Sequence, residues 1–219
     1  MGGRPRMLAS LILVATLYGR QVQSQVSGPS APFAGFKILP LAPGANNIDL
    51  NADGQPDLVF LAWQDNGTAP GYDVITFFLS DTAVSGRWLI LPLVDRQLGD
   101  SRAYFHSVYG PSCAEGDYLR MQPKTADLLV LRRDSSGGGP IQLLVGRHKY
   151  AHNPDGIGPV IFTVYQYTVD TAVRHGQSPY YFRAVRTLQG RQSYCDIRDA
   201  FAEEFGLGRG TRLRLPRPN

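Results

Sequence analysis

The sequence predicts a mainly β domain of the α+β class, with antiparallel sheets packed as a sandwich and one C-terminal helix laid on them. Three observations predict it. Short runs rich in β-branched and aromatic residues recur between 37 and 185, and clusters of Gly, Pro and Asn separate them. Only one segment, 196–205, has helical periodicity.

The first 24 residues predict a signal peptide. Arg4 and Arg6 precede an apolar run over 8–17, and Val22 and Ser24 stand three and one positions before a cut. That run is shorter than the ~20 apolar residues a membrane helix needs. A buried N-terminal helix is the competing reading. No later stretch is long and apolar enough to span, so the expectation is an exported, soluble, periplasmic protein. Residues 25–35, rich in Ser, Pro and Gly, read as a linker. Residues 36–207 read as one β-rich domain, and 208–219 as a basic flexible tail.

Charge follows this division. Without Arg4, Arg6 and Arg20 the formal charge falls from +4 to +1. Setting aside Arg209, Arg212, Arg214 and Arg217 leaves residues 25–208 at −3. A faintly acidic body offers no basic face to a phosphate backbone, which excludes nucleic acid as partner.

The predicted strands are 37–41, 58–63, 74–79, 88–94, 128–131, 141–145, 160–169 and 180–185. The turn clusters between them include PGANN, DNGTAPG and NPDGIGP. Alternation in TVYQYTV at 163–169 suggests one buried face, whereas LLVL at 128–131 suggests burial on both. In the helix, Ile197, Phe201 and Phe205 share one side while Arg198, Asp199, Glu203 and Glu204 lie elsewhere. Asp196 is the expected N-cap and Gly206 the expected stop.

Cys113 and Cys195 are the sole cysteines. Export into an oxidising compartment favours one bridge, which would staple the helix to the sheet. Two buried free thiols are the alternative.

The strongest local motif is DLNADGQPD at 49–57. Asp49, Asn51, Asp53 and Asp57 place side-chain oxygens at positions one, three, five and nine, and Gln55 would add its carbonyl. Calcium takes six to eight oxygens, and alternating carboxylates on a tight turn supply them. Position twelve is Phe60, so the motif is not an EF-hand. The loop resembles the calcium loops of FG-GAP-type β-hairpin repeats, in a single copy. A structural calcium is one expectation; a turn whose Asp and Asn side chains satisfy their own backbone is the other.

His148 and His152 are four apart but lack the HExxH glutamate and run into a turn, so a surface loop is expected; His106 and His175 are isolated. Asn66-Gly-Thr68 is a glycosylation triplet with meaning only in a eukaryotic secretory route. GxSxG, SxxK, HxHxD, Walker and GxGxxG motifs are absent, which argues against an enzyme, although a hydrolase with a dispersed site stays open.

The run from Gly44 through DLNADGQPDLVF to Asn66, then YDVITFFL at 72–79, the central Cys113 and SYCDIRDAF at 193–201 occur in order. This set resembles the CarG type of periplasmic carbapenem intrinsic-resistance protein, the partner of CarF, over about residues 36–206. The resemblance implies a non-catalytic periplasmic protein that confers self-immunity to a carbapenem. Its implied partners are the carbapenem itself, a penicillin-binding protein or a CarF-like protein, and a homodimer is left open. The second reading is an exported, calcium-stabilised β binding module for a protein or glycan.

Overall fold

Strict alternation in YDVITFFLS gives strand β4 (Tyr72–Ser80) one buried face and one half-buried face, and this strand organises the first sheet. The computed structural model describes residues 32–65, 72–94, 105–106, 108–109, 124–134, 139–149, 158–172 and 178–208. All of them belong to one compact unit. The signal-peptide residues 1–24, Asn66–Thr68, Cys113, His152, His175 and the tail from 209 onward lie outside the described residues.

Among the described residues there are two sheets. The first runs β2 (Gly44–Ile48), β3 (Asp57–Gln64), β4 (Tyr72–Ser80), β5 (Trp88–Leu91), with β7 (Phe105–His106) also on β4. The second runs β1 (Phe36–Leu39), β9 (Lys124–Arg133), β10 (Gln142–His148), β11 (Gly158–Val169), β12 (Tyr180–Tyr194), β6 (Leu93–Val94), with β8 (Val108–Tyr109) on β9. Every pairing is antiparallel except β6 with β12, which is parallel and makes the second sheet mixed.

That exception has a local cause. The predicted strand 88–94 is interrupted by Pro92, which has no N–H to give a ladder. β5 stays on β4, β6 crosses to the other sheet, and the Pro92 carbonyl accepts the Phe182 N–H at 2.9 Å. Leu91, Pro92 and Leu93 are buried, so the crossing is a packed corner.

The two sheets enclose one core. Val59, Ile75 and Phe77 of the first meet Val130, Leu143 and Phe182 of the second. The opposite face of the second sheet is covered as well: Leu144, Phe162 and Val164 pack under helix α1 (Ile197–Phe205) with Ile197, Phe201 and Phe205. The layers are therefore sheet, sheet, helix. A middle layer buried on both sides needs apolar residues at consecutive positions, which is why LLVL and LLV read as unbroken runs.

Helix α1 has the predicted ends. The Asp196 side chain accepts the Arg198 N–H, and Gly206 closes the helix at φ 69° with its N–H on the Ala202 carbonyl. Glu204, expected on the solvent side, is instead only 8% exposed. The helix lies close over Gly146, where an added Cβ would meet Ile197 Cγ2 at 2.6 Å.

Other differences are of extent. Phe33, assigned to the 25–35 linker, is 5% exposed and meets Phe205 edge-on at 5.1 Å, so the folded body starts before residue 36. β2 falls where PGANN suggested a turn: Asn46 bonds the Ala42 N–H and carbonyl and the Val59 carbonyl, fixing the turn just ahead of the strand. β12 runs nine residues beyond the predicted 185, because β11 supplies a ladder to a stretch with little apolar pattern of its own. β7 and β8 are short pairings that no periodicity marks.

Candidate functional site

The acidic segment 49–57 is the connection between β2 and β3. Asp49 Oδ1 accepts the Ala52 and Asp53 N–H groups at 2.7 and 3.2 Å, and its Oδ2 accepts Gly54 N–H at 3.0 Å. Asn51 Oδ1 accepts the Asp53 N–H at 3.1 Å, and its amide donates to Asp53 Oδ2 at 2.9 Å. Asp53 Oδ1 accepts the Gln55 N–H at 2.8 Å. These are side chains satisfying a turn's own backbone. They hold Ala52 at φ 65° and Gly54 at φ 83°. For alanine that left-handed conformation costs about 1 kcal/mol.

Asp57 does something different. At 1% exposure it points into the protein, where Oδ2 accepts the Leu50 N–H at 2.8 Å and Oδ1 the Ser80 N–H at 2.9 Å. One carboxylate thus ties the loop to the far end of β4. Burial raises its pKa above the usual carboxylate value, against the two backbone bonds, and the Asp53 and Asp49 charges add to the rise.

The loop also grips the second sheet. Arg132 of β9 donates from Nη2 to the Asp49 carbonyl at 2.9 Å, and Ile141 ahead of β10 donates to the Leu50 carbonyl at 3.2 Å. The Tyr167 hydroxyl of β11 is hydrogen-bonded to Asn51, and burial pushes that phenol up to about 12. Leu50, fully buried, anchors the loop in the inter-sheet core. The loop is a seam between two sheets.

Asp49 and Asn51, half-buried, and Asp53 and Gln55, exposed, share one turn, whereas the Asp57 carboxylate faces the core. Among the described residues no group of three or more His, Cys, Asp or Glu side chains is placed to hold a metal ion.

A second polar cluster, which the sequence reading did not anticipate, joins β12 to α1. The Glu204 carboxylate accepts the Arg191 N–H and Nε, each at 2.7 Å, and the Tyr194 hydroxyl, also at 2.7 Å. Burial alone would raise the Glu204 carboxyl; the Tyr194 and Arg191 bonds and the Arg191 charge outweigh it, and the net shift is downward. Tyr194 is pushed up to about 12, first by burial and then by its bond to Glu204. The only hint in the sequence was a carboxylate one helical turn from Phe201 with an arginine thirteen residues upstream. Cys195 stands between this cluster and the helix cap, and no cysteine among the described residues is a free thiol.

His148 corrects the surface-loop expectation: it is the last residue of β10, and its Nε2 is buried without a hydrogen-bond partner among the described residues. Burial lowers its pKa, with Asp196 pulling the other way. His148 is thus a packed strand residue. No helix among the described residues is long and apolar enough to cross a membrane.

The layered sandwich has a solved counterpart. The chain is similar to the crystal structure of CarG, with a TM-score of 0.58 and 22% identity over 76% of this chain and 94% of that one. The fold is CarG-like. No protein-family model and no curated protein matches the chain.

Proposed function

We propose that this protein is a non-catalytic, exported factor that protects its cell against a carbapenem, acting in the periplasm as CarG-type proteins are understood to do. The observation that carries the reading is the likeness to CarG across nearly the whole of that structure. The two motifs that suggested the family support it by their places in the fold. DLNADGQPD forms the seam between the sheets, and YCDIRDAF forms the junction of β12 with its covering helix.

The proposal includes a Cys113–Cys195 bridge, supported by the lack of a free thiol at Cys195. Reducing it would lower stability by about 4 kcal/mol in the chain-entropy description of so long a loop. It includes calcium only as a structural ion on Asp49, Asn51, Asp53 and the Gln55 carbonyl, with Asp57 outside the set. Calorimetric titration that gives no heat and no melting shift removes the ion from the proposal.

The decisive experiment is export of the full chain in a carbapenem-sensitive host. A raised inhibitory concentration, with no loss of the carbapenem ring absorbance on incubation with purified protein, is the expected result. An unchanged inhibitory concentration at good periplasmic levels rejects the protective role, and loss of ring absorbance replaces it with hydrolysis. One observation favours the second reading, a β binding module. The outer face of the first sheet exposes Phe60, Trp88 and Ile90 at 41%, 45% and 43%.

A further inference from the structure

The first and last described segments of the body meet. Phe33 is buried against Phe205 with ring centroids 5.1 Å apart. Leu207, whose N–H is on the Phe201 carbonyl at 3.2 Å, is buried in the same cluster. The chain before residue 32 and the chain after residue 208 therefore leave the fold at one corner, beside the C-terminal end of α1. Phe36 extends that corner. Its ring meets Phe33 edge-on at 6.0 Å and carries the exposed Arg133 guanidinium 5.2 Å from its centre. The neighbouring Lys37 is paired with Asp134 at 3.1 Å.

The two sequences that leave from this corner complement each other. Before it stands the predicted leader, with its apolar run over 8–17. After it stands RGTRLRLPRPN at 209–219, with Arg209, Arg212, Arg214 and Arg217, two leucines and no acidic side chain. Residues 25–208 sum to −3, so the positive charge of the chain after the leader is concentrated at one place. Eleven residues reach at most about 40 Å when extended, which keeps the arginines close to any bilayer the leader has entered. An apolar insert beside a polybasic stretch is the two-signal arrangement that reads an anionic membrane surface. A faintly acidic body gains nothing from such a surface, which leaves contact to this corner. An acidic protein is the competing occupant; the leader, which brings the corner to a bilayer first, favours the lipid.

We propose that the corner formed by Phe33, Phe36 and Phe205 docks on an anionic phospholipid surface. Arg209, Arg212, Arg214 and Arg217 would meet the headgroup phosphates, and Arg133 is the cation that the fold itself contributes. The proposal rests on the exported reading for the surface it meets, and not on protection against a carbapenem.

The test uses purified protein of residues 25–219, since the compact unit of residues 31–219 excludes the leader. It is sedimented with vesicles of phosphatidylcholine alone or of phosphatidylcholine mixed with phosphatidylglycerol. The protein partitions onto the mixed vesicles at low salt and is released at high salt. The combined substitution Arg209→Ser, Arg212→Ser, Arg214→Ser and Arg217→Ser lowers that partitioning at least about tenfold, with the far-ultraviolet spectrum unchanged. Changing the same four positions Arg→Lys retains it. On the mixed vesicles residue-level hydrogen exchange slows at 33–36 and 206–208, and not in the β4–β5 turn at 81–87. Equal binding of parent and serine variant, equal binding to both kinds of vesicle, or slowing confined to 81–87 overturns the proposal. Absence of binding at low salt also overturns it and leaves an acidic protein as the occupant. An unchanged inhibitory concentration in the sensitive host alters none of these outcomes, so the two readings fail separately.

Discussion

Asp57 and Glu204 are both buried carboxylates at 1% and 8% exposure, and each fastens one segment to another, yet they are stabilised in opposite ways. Asp57 has only neutral partners, the Leu50 and Ser80 amides, and burial wins, so its proton affinity rises. Glu204 has the Arg191 guanidinium and the Tyr194 hydroxyl as well as an amide, and its affinity falls. The seam between the sheets is therefore held by a carboxylate under electrostatic stress, and the helix junction by one at ease. Hydrogen bonds fix geometry in both places; a cation decides which charge state the geometry favours.

The largest effect should come from Asp57→Ala. It leaves two buried amides unsatisfied and a small void, for a loss of about 3 kcal/mol in urea unfolding. Asp57→Asn keeps one acceptor oxygen and should lose clearly less. A loss no greater than that of a surface alanine would show that Asp57 does not clamp the loop to β4.

Next comes Gly146→Ala, which acts only on the helix side. The new methyl group meets Ile197 and Phe201, and forcing the helix off the sheet should cost about 2 kcal/mol. Hydrogen exchange should quicken in α1 while the 49–57 amides stay as they are. Equal quickening in both regions would remove the distinction between seam and junction.

Glu204→Gln should be milder, about 1 kcal/mol, since one acceptor remains and Arg191 can turn to water. Its denaturant slope should match that of the parent, because no surface is newly exposed. A loss as large as that of Asp57→Ala would mean that the guanidinium matters more than burial at this junction.

The sequence made the layers legible because burial leaves a periodic trace. YDVITFFLS announces one buried face, LLVL announces two, and IRDAFAEEF with Asp196 and Gly206 gives the helix to the residue. The seam was half legible. The spacing in DLNADGQPD marked a turn built on carboxylates, but Asp57 can face either the turn or the core, and only the arrival of the Ser80 amide from β4 decides it. The Glu204 cluster left only the faintest trace, since a glutamate among charged helix residues looks solvated until β12 brings Arg191 and Tyr194 over it. The split at Pro92 was visible as a residue and not as a crossing, because which sheet a strand joins is a tertiary fact.

The pH dependence sharpens the comparison with the smallest effect. Asp57 has a folded pKa above its ordinary 3.8, so the folded state holds that proton more tightly than the unfolded chain does. Its contribution is fully present below 3.8 and declines as pH rises through the folded value. Glu204 has a folded pKa below its ordinary 4.5, so its contribution is present above 4.5 and declines as pH falls through the folded value. Each is read as the stability of the parent minus that of the matching amide variant. The parent's margin over Asp57→Asn should narrow as pH rises from 4 toward 7, and its margin over Glu204→Gln should widen across the lower part of that range. Opposite slopes, each within about 1 kcal/mol overall, are the expected outcome of denaturant titrations at stepped pH. Two slopes of the same sign would mean that Asp57 is as well paired as Glu204, and that the Leu50 and Ser80 amides compensate burial as fully as a guanidinium does.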